Sequence, residues 1–221
     1  MLADRMRMSV KQGVDEFTKA LLHFDNSVIA DETGRVWSNH SAFLDAGVYK
    51  FGKSIKFDST WIDTPASADF NVGSGDFTVD FWVNLLYADY TYSLCGQVAS
   101  SLDPYSAALL VQIWAGYVTV RLYNTLGGDT YMQSSTTLTA SQWYHIAVVR
   151  KGNSMYLYIN GVQRGSRDVT GIIANASTAK FAIGKFGESS QNLSNNYIDE
   201  FRFSKGIARW TANFSPPTSP Y

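Results

Sequence analysis

The sequence predicts an all-β protein made of two packed antiparallel sheets, and three observations carry that expectation. Composition is the first: of 221 residues 14% are aromatic and only 17% charged, with thirteen Tyr, thirteen Phe and six Trp. Such residues suit pleated, half-buried surfaces better than helices. Alternation is the second. Phe77, Val79, Phe81, Val83 and Leu85 share one face of an extended segment, with Asp76, Thr78, Asp80, Trp82 and Asn84 on the other, the period of two that defines a strand. Punctuation is the third: short apolar runs are separated by Gly, Asn and Ser turns with no helical pattern between them, which points to two layers of sheet.

Strands are expected, in order, at 21–25, 54–58, 77–85, 92–98, 108–114, 117–123, 143–150, 155–160, 180–183 and 197–203. The run ending at Asn160-Gly161 carries the strongest short hairpin signal, because both turn residues tolerate positive φ. The first twenty residues differ. Val10, Val14, Phe17 and Leu21 fall close to helical spacing among Lys11, Asp15, Glu16 and Lys19, which predicts a short amphipathic helix or arm. The division expected is residues 1–19 as this helix or docking arm, 20–205 as the sandwich, and 206–221 as an extended Pro-rich tail, since that tail cannot be a central strand.

Charge and cysteine usage narrow the classes of function. A net charge of −1 argues against a nucleic-acid partner, which demands a basic face, and against an anionic membrane surface. No apolar run is long enough for membrane insertion as a helix. The start, MLADRMRMSVKQGVDEF, has charges but no apolar core of a secretory signal, so synthesis and folding in a cytoplasm are expected. Cys95 is the single cysteine and reads as a small buried hydrophobe.

Six segments in order resemble the laminin-G-like, concanavalin A-like jelly rolls. They are Leu-Leu-His-Phe-Asp at 21–25, Phe-Gly-Lys-Ser at 51–54 leading into Ile55-Lys56-Phe57, and Asp76 through Val83. Trp143-Tyr144-His145-Ile146-Ala147-Val148-Val149-Arg150, Leu157-Tyr158-Ile159-Asn160-Gly161 and Ile198-Asp199-Glu200-Phe201-Arg202 follow. The ending from Arg202 to Tyr221 is similar to the version found in bacteriophage virion and tail proteins. The resemblance implies a two-sheet jelly roll with the first and last strands side by side. It also implies a structural calcium held by Asp25 and Asp199, with carbonyl donors near Gly34 or Gly47.

Few residues could carry chemistry. Glycoside hydrolases place two or three carboxylates along one strand face, and Asp76-x-Thr78-x-Asp80 is the nearest pattern, but the next same-face position is Trp82. His145 occupies the resemblance's usual histidine position and reads as packing. His23, His40 and His145 have no zinc spacing. No catalytic residues are therefore expected. Calcium suits the hard oxygens of Asp25 and Asp199: alternation puts Asp199 on a face with Tyr197, Phe201 and Phe203, where a carboxylate needs compensation. Acceptance of backbone N–H groups by Asp199, or pairing with Arg202 or Lys56, would compensate equally.

Sugar recognition needs aromatic faces beside polar groups on loops held by a rigid scaffold. Tyr87, Tyr90, Tyr92, Tyr105, Trp114 and Tyr117 have that chemistry; the plain alternative is that they are sheet-face or edge residues. The expected function is a non-catalytic lectin-like module displayed on a phage particle, binding cell-surface glycans and docking to virion or tail proteins through residues 1–19 and 206–221. Both ends could instead fold back to cover sheet edges. A purely structural virion protein without ligand, and a glycan-cleaving enzyme on the same fold, are the alternatives.

Overall fold

A computed structural model describes residues 13–97, 108–124, 129–175, 179–185 and 193–221. Among the described residues fourteen strands run in antiparallel pairs: β1 (Thr18–Leu22), β2 (Ser38–His40), β3 (Phe43–Asp45), β4 (Ser54–Thr64), β5 (Phe77–Leu85), β6 (Tyr92–Gln97) and β7 (Leu109–Trp114) make the first half. The second half is β8 (Tyr117–Tyr123), β9 (Asp129–Thr137), β10 (Trp143–Lys151), β11 (Ser154–Ile159), β12 (Val162–Asp168), β13 (Phe181–Ile183) and β14 (Ser194–Lys205). The protein is thus the all-β antiparallel sandwich that the alternation predicts.

Two layers arise because one strand belongs to both. The hydrogen-bonded order is β12-β11-β10-β5-β14-β4-β13-β6-β7-β8-β9. The first part of β4 pairs with β14, from Ile55↔Ile198 to Asp58↔Asn195. Its last part pairs with β13, Ile62↔Ile183 to Thr64↔Phe181. Between the two stretches Ser59 takes φ 56, a left-handed kink that turns the strand from the front sheet (β12 to β4) into the back sheet (β4 to β9).

Between the sheets lie the residues that alternation assigns to the core. Phe77, Val79, Phe81, Val83 and Leu85 of β5 pack with Phe57, Phe181, Phe201 and Phe203, all buried. The rings meet stacked or edge-on: Phe70 and Phe181 at 4.4 Å, Phe81 and Phe201 at 5.8 Å. Burying each such ring contributes on the order of 2 kcal/mol or more, so this core is the main stabilising term.

The amphipathic segment expected over residues 10–22 is not helical where it is described, from residue 13 onward. Residues 1–12 lie outside the described residues, but Thr18–Leu22 is a strand paired to the end of β14, Thr18↔Ser204 to Leu22↔Phe201. Lys-Ala-Leu-Leu has good helix propensity, which is only a weak prior; the open edge of β14 offers backbone partners and a core for Ala20 and Leu22.

Alternation also fails at one point in β14. Glu200 adopts φ 52 and the pairing with β5 slips between Asp199 and Arg202. This β-bulge changes parity. Ile198, Phe201 and Phe203 enter the core, while Asp199 pairs with Trp82 and Arg202 with Asp80 on the outer face. Asp199 therefore does not share a face with Phe201 and Phe203, as strict alternation had placed it.

The outer face of the front sheet is closed rather than solvated. Residues 207–221 lie along it as a strap. Thr78 Oγ1 donates to the Ile207 carbonyl and accepts from Arg209 N. Phe214 N donates to the Gly161 carbonyl. Trp210 and Phe214 stack at 4.1 Å and cover Ala147, Val149 and Tyr158. The Asn160-Gly161 hairpin is as predicted, with φ 50 and 74, and the missing side chain at Gly161 lets the Phe214 carbonyl approach its backbone.

Under the strap sits a polar cluster. Asp80 and Arg202 are joined by two bonds of 3.1 Å, Tyr221 Oη donates to Asp80 Oδ2, and the Arg202 guanidinium lies 3.7 Å from the Tyr221 ring centroid. His145 Nε2 is 3.1 Å from Tyr221 Oη. Burial alone would raise the Asp80 carboxyl; Arg202, together with His145 beside it, outweighs that and holds the group at about 2. Removing one partner of such a pair leaves an unpaired buried charge. Arg202→Met should cost about 3–5 kcal/mol in urea unfolding, and Tyr221→Phe about 1 kcal/mol. Equal, small losses for both would mean that water reaches the pair.

Candidate functional site

Three connections meet at one end of the sandwich. Residues 86–91 follow β5 into β6, Ala115-Gly116 turns β7 into β8, and residues 138–142 cross from β9 to β10. Backbone hydrogen bonds knit them in a row: Ser141 N to the Leu85 carbonyl at 2.9 Å, and Leu138 N to the Gly116 carbonyl at 2.8 Å. A rigid frame under short connections is the arrangement in which loops carry recognition.

The rim gathers aromatic side chains from segments far apart in sequence. Tyr87 is 56% exposed, Tyr90 63% and Trp114 49%, large values for residues that gain by burial. Tyr87 and Tyr90 meet edge-to-face at 5.7 Å. Tyr117, half-buried, pairs with Trp114 across the turn. Tyr92 is different: it is 1% exposed and belongs to the core. Its hydroxyl donates to the Tyr87 carbonyl, so it fixes the loop and offers no face of its own. Tyr105 lies outside the described residues.

Sequence reasoning missed the groups that continue this surface down the back sheet. Tyr131 of β9 lies 6.5 Å from Trp114, edge-on, with the Arg121 guanidinium 5.1 Å from its ring centroid. Arg121 is held by Asp129 at 2.6 Å, and Tyr131 Oη donates to Gln133 Oε1 at 2.6 Å. The signal was present as Asp129-x-Tyr131-x-Gln133, a polar alternation that lacks the apolar face by which strands are usually found. Aromatic faces beside amide, carboxylate and guanidinium groups can stack on the C–H faces of a sugar and bond its hydroxyls.

The catalytic pattern is dismantled by the fold. Asp76 is not beside Asp80: it accepts from Gly152 N at 2.7 Å and from Lys151 Nζ at 2.8 Å, clipping the turn after β10. Asp80 is neutralised under the strap. His145 is buried between Trp82, Trp210 and Phe214.

Asp25 and Asp199 both grip the segment leading into β4. Asp199 Oδ2 accepts from Lys50 N at 2.9 Å and Phe51 N at 2.8 Å; Asp25 Oδ1 accepts from Lys53 N at 2.7 Å. At Gly52, φ 59, any Cβ would strike the Asp25 carboxylate. Among the described residues no three His, Cys, Asp or Glu side chains converge as a metal-binding group. One observation fits a cation: Asp199 Oδ1 is buried without a partner. Burial, together with the neighbouring Glu200 charge and against the backbone amides of Phe51, Lys50 and Glu200, pushes the Asp199 carboxyl up to about 8.

A sequence profile of the concanavalin A-like lectin/glucanases superfamily matches residues 57–209. The chain belongs to this superfamily. No curated protein matches it. Among solved structures, the binding domain of Paraclostridial Mosquitocidal Protein 1 superposes with a TM-score of 0.67 at 18% identity, over 85% of this chain and 48% of that one. The receptor-binding domain of the botulinum neurotoxin C/D mosaic serotype gives 0.68 at 14%, over 88% and 49%. Domain 4 of AbnA, a GH43 extracellular arabinanase from Geobacillus stearothermophilus, solved with arabinotriose, gives 0.66 at 21%, over 86% and 93%. The chain spans about half the length of the two toxin domains. At these identities the likeness shows the shared fold.

A folded-state pKa above the unfolded value means that Asp199 contributes stability fully below pH 3.8, lost as pH rises toward about 8. In metal-free buffer Asp199→Asn should flatten the fall of melting temperature across that window. An unchanged slope would place the titrating group elsewhere.

Proposed function

We propose that the protein is a non-catalytic glycan-recognition module whose binding surface is the aromatic rim and the adjoining back-sheet platform. The observation that carries this reading is the exposure of Tyr87, Tyr90 and Trp114 on one hydrogen-bonded rim, next to Tyr131 and the Arg121–Asp129 pair. Support comes from the company the fold keeps: a structure with arabinotriose and a botulinum neurotoxin binding domain in complex with SialylT are among its neighbours. The non-enzymatic half of the proposal rests on Asp76 and Asp80, which are committed to a turn and to Arg202.

Trp114→Ala and Tyr90→Ala remove surface faces, so each should leave the melting temperature within about 2 °C. On a glycan array, and in calorimetry with the best array ligand, each should weaken binding about tenfold or more, as loss of a stacking face does. Retained affinity in both variants would move the site, and reducing-sugar release from polysaccharides would overturn the non-enzymatic reading.

Calcium enters as part of the same proposal. Held by Asp199 through Oδ1 and by Asp25, the ion would be structural, tying the segment before β4 to β14. Calcium should then raise the melting temperature at neutral pH, EDTA should reverse the rise, and Asp199→Ala should abolish it. A melting curve indifferent to both would remove the ion from the account.

We place the module on a phage particle because of the ending from Arg202 to Tyr221. Since Trp210, Phe214 and Tyr221 are used within the chain, docking would fall to residues 1–12 rather than to the strap.

A further inference from the structure

We propose that Asn160 is a site of spontaneous covalent modification, its side-chain amide lost through a cyclic imide, and that the strap over residues 207–221 governs when this happens. Asn160-Gly161 is the single Asn-Gly pair in the sequence. Glycine, without a side chain, leaves its own amide nitrogen unobstructed for ring closure onto the residue before it. The pair joins β11 to β12, with Asn160 exposed at the tip.

The reaction needs only water. The Gly161 amide nitrogen gives its proton to solvent base and bonds to Asn160 Cγ; the Cγ–Nδ2 bond breaks and Nδ2 leaves as ammonia. Water then adds to one of the two imide carbonyls. Opening on one side gives aspartate. Opening on the other leaves the main chain running through Cγ, as isoaspartate. Nothing is oxidised or reduced.

In the folded turn the electronics favour this step and the geometry opposes it. His145 N donates to Asn160 Oδ1 at 2.9 Å, which polarises Cγ toward attack. Ring closure, however, requires the peptide unit between the two residues to turn over. Asn160 holds φ 50 and Gly161 φ 74, the paired left-handed conformation of a tight hairpin, and Asn160 N donates to the His145 carbonyl at 2.8 Å. The strap clamps the turn from outside. Phe214 N donates to the Gly161 carbonyl at 2.9 Å, and Gln163 N donates to Asn213 Oδ1 at 2.9 Å. The Phe214 carbonyl fills the space where a side chain at residue 161 would begin. Ring closure therefore waits on local opening of the strap, and chain ends open at lower free energy than core strands.

The isoaspartate product makes the opening one-way. Its extra backbone carbon lengthens the turn and carries the Gly161 carbonyl away from Phe214 N. Its free carboxylate stands in place of a neutral amide beside the buried His145. The strap then does not reseat, and the outer face of the front sheet stays open. None of this involves the rim, so either proposal can stand without the other.

Ageing the full chain in mildly alkaline buffer, with isoaspartate read by peptide mapping, tests the proposal against a synthetic peptide of residues 155–165 as the unclamped reference. Strap closure is fast beside the chemistry, so the rate reports the open fraction. Asn160 in the native chain should react about tenfold or more slowly than in the peptide. Tyr221→Phe removes the hydroxyl that ties the strap to Asp80 and leaves every contact with the turn in place; it should speed the reaction about fivefold. Val111→Ala weakens the buried core on the back sheet and not the strap, so its rate should match the unaltered chain. The aged, isoaspartate-bearing chain should be cut by trypsin after Arg209 about tenfold faster than the fresh one. A native rate equal to the peptide's, Tyr221→Phe without effect, Val111→Ala as fast as Tyr221→Phe, or an aged chain cut no faster would each overturn the proposal.

Discussion

Asp80 and Arg202 sit on a sheet face that a two-layer sandwich would ordinarily show to water. Taking both from water costs more than their attraction returns unless further hydrogen bonds complete the site. Tyr221 supplies one, and its ring covers the guanidinium. The phenol in turn is pushed to a higher pKa by burial and by Asp80, so it stays a donor at any ordinary pH. The strap and the pair are therefore one unit: without the strap the pair would be wet, and with either partner missing the strap would cover an unpaired buried charge. What this unit removes from use is the broad outer face of the front sheet, which leaves the rim and the back sheet for recognition.

Two local departures from regular strand geometry make the unit possible. The kink at Ser59 lets β4 serve both sheets, and the bulge at Glu200 turns Arg202 outward while keeping Phe201 and Phe203 inside. The same bulge aims the Glu200 carboxylate at His23, 2.8 Å away, and at Tyr221 N, 2.9 Å away. Glu200 raises the His23 pKa by its hydrogen bond. First strand, last strand and strap are thus held at one residue whose backbone is itself strained.

The fold was legible where one face is apolar. The β5 alternation, the Asn160-Gly161 turn and the strands over 117–123 and 143–150 follow directly from period and turn chemistry. It was less legible where pairing decides: Thr18–Leu22 has helical spacing but is recruited by an open edge, and β9 and β12 carry polar sequences stabilised by their neighbours. Parity in β14 could not be read at all, because nothing in Asp-Glu-Phe-Arg announces a left-handed glutamate. Of the candidate site, the chemistry of Tyr87, Tyr90 and Trp114 was visible in composition. Their place at one end of the sandwich was not, since it depends on strand pairing and on hydrogen bonds between connections some fifty residues apart, such as Ser141 to Leu85. Tyr92 looked identical in sequence yet is core, separated from Tyr90 only by which side of a strand's first residue it falls on.

The central claim is that recognition uses the rim while the strap keeps the outer face shut. Mapping amide chemical-shift changes on a bound oligosaccharide tests it most directly. Perturbations should centre on residues 87–92 and 114–117 and on Tyr131, with the amides of Trp210, Phe214 and Tyr221 unmoved. Perturbations centred on Trp82, His145 and Arg202, accompanied by release of the strap, would contradict it.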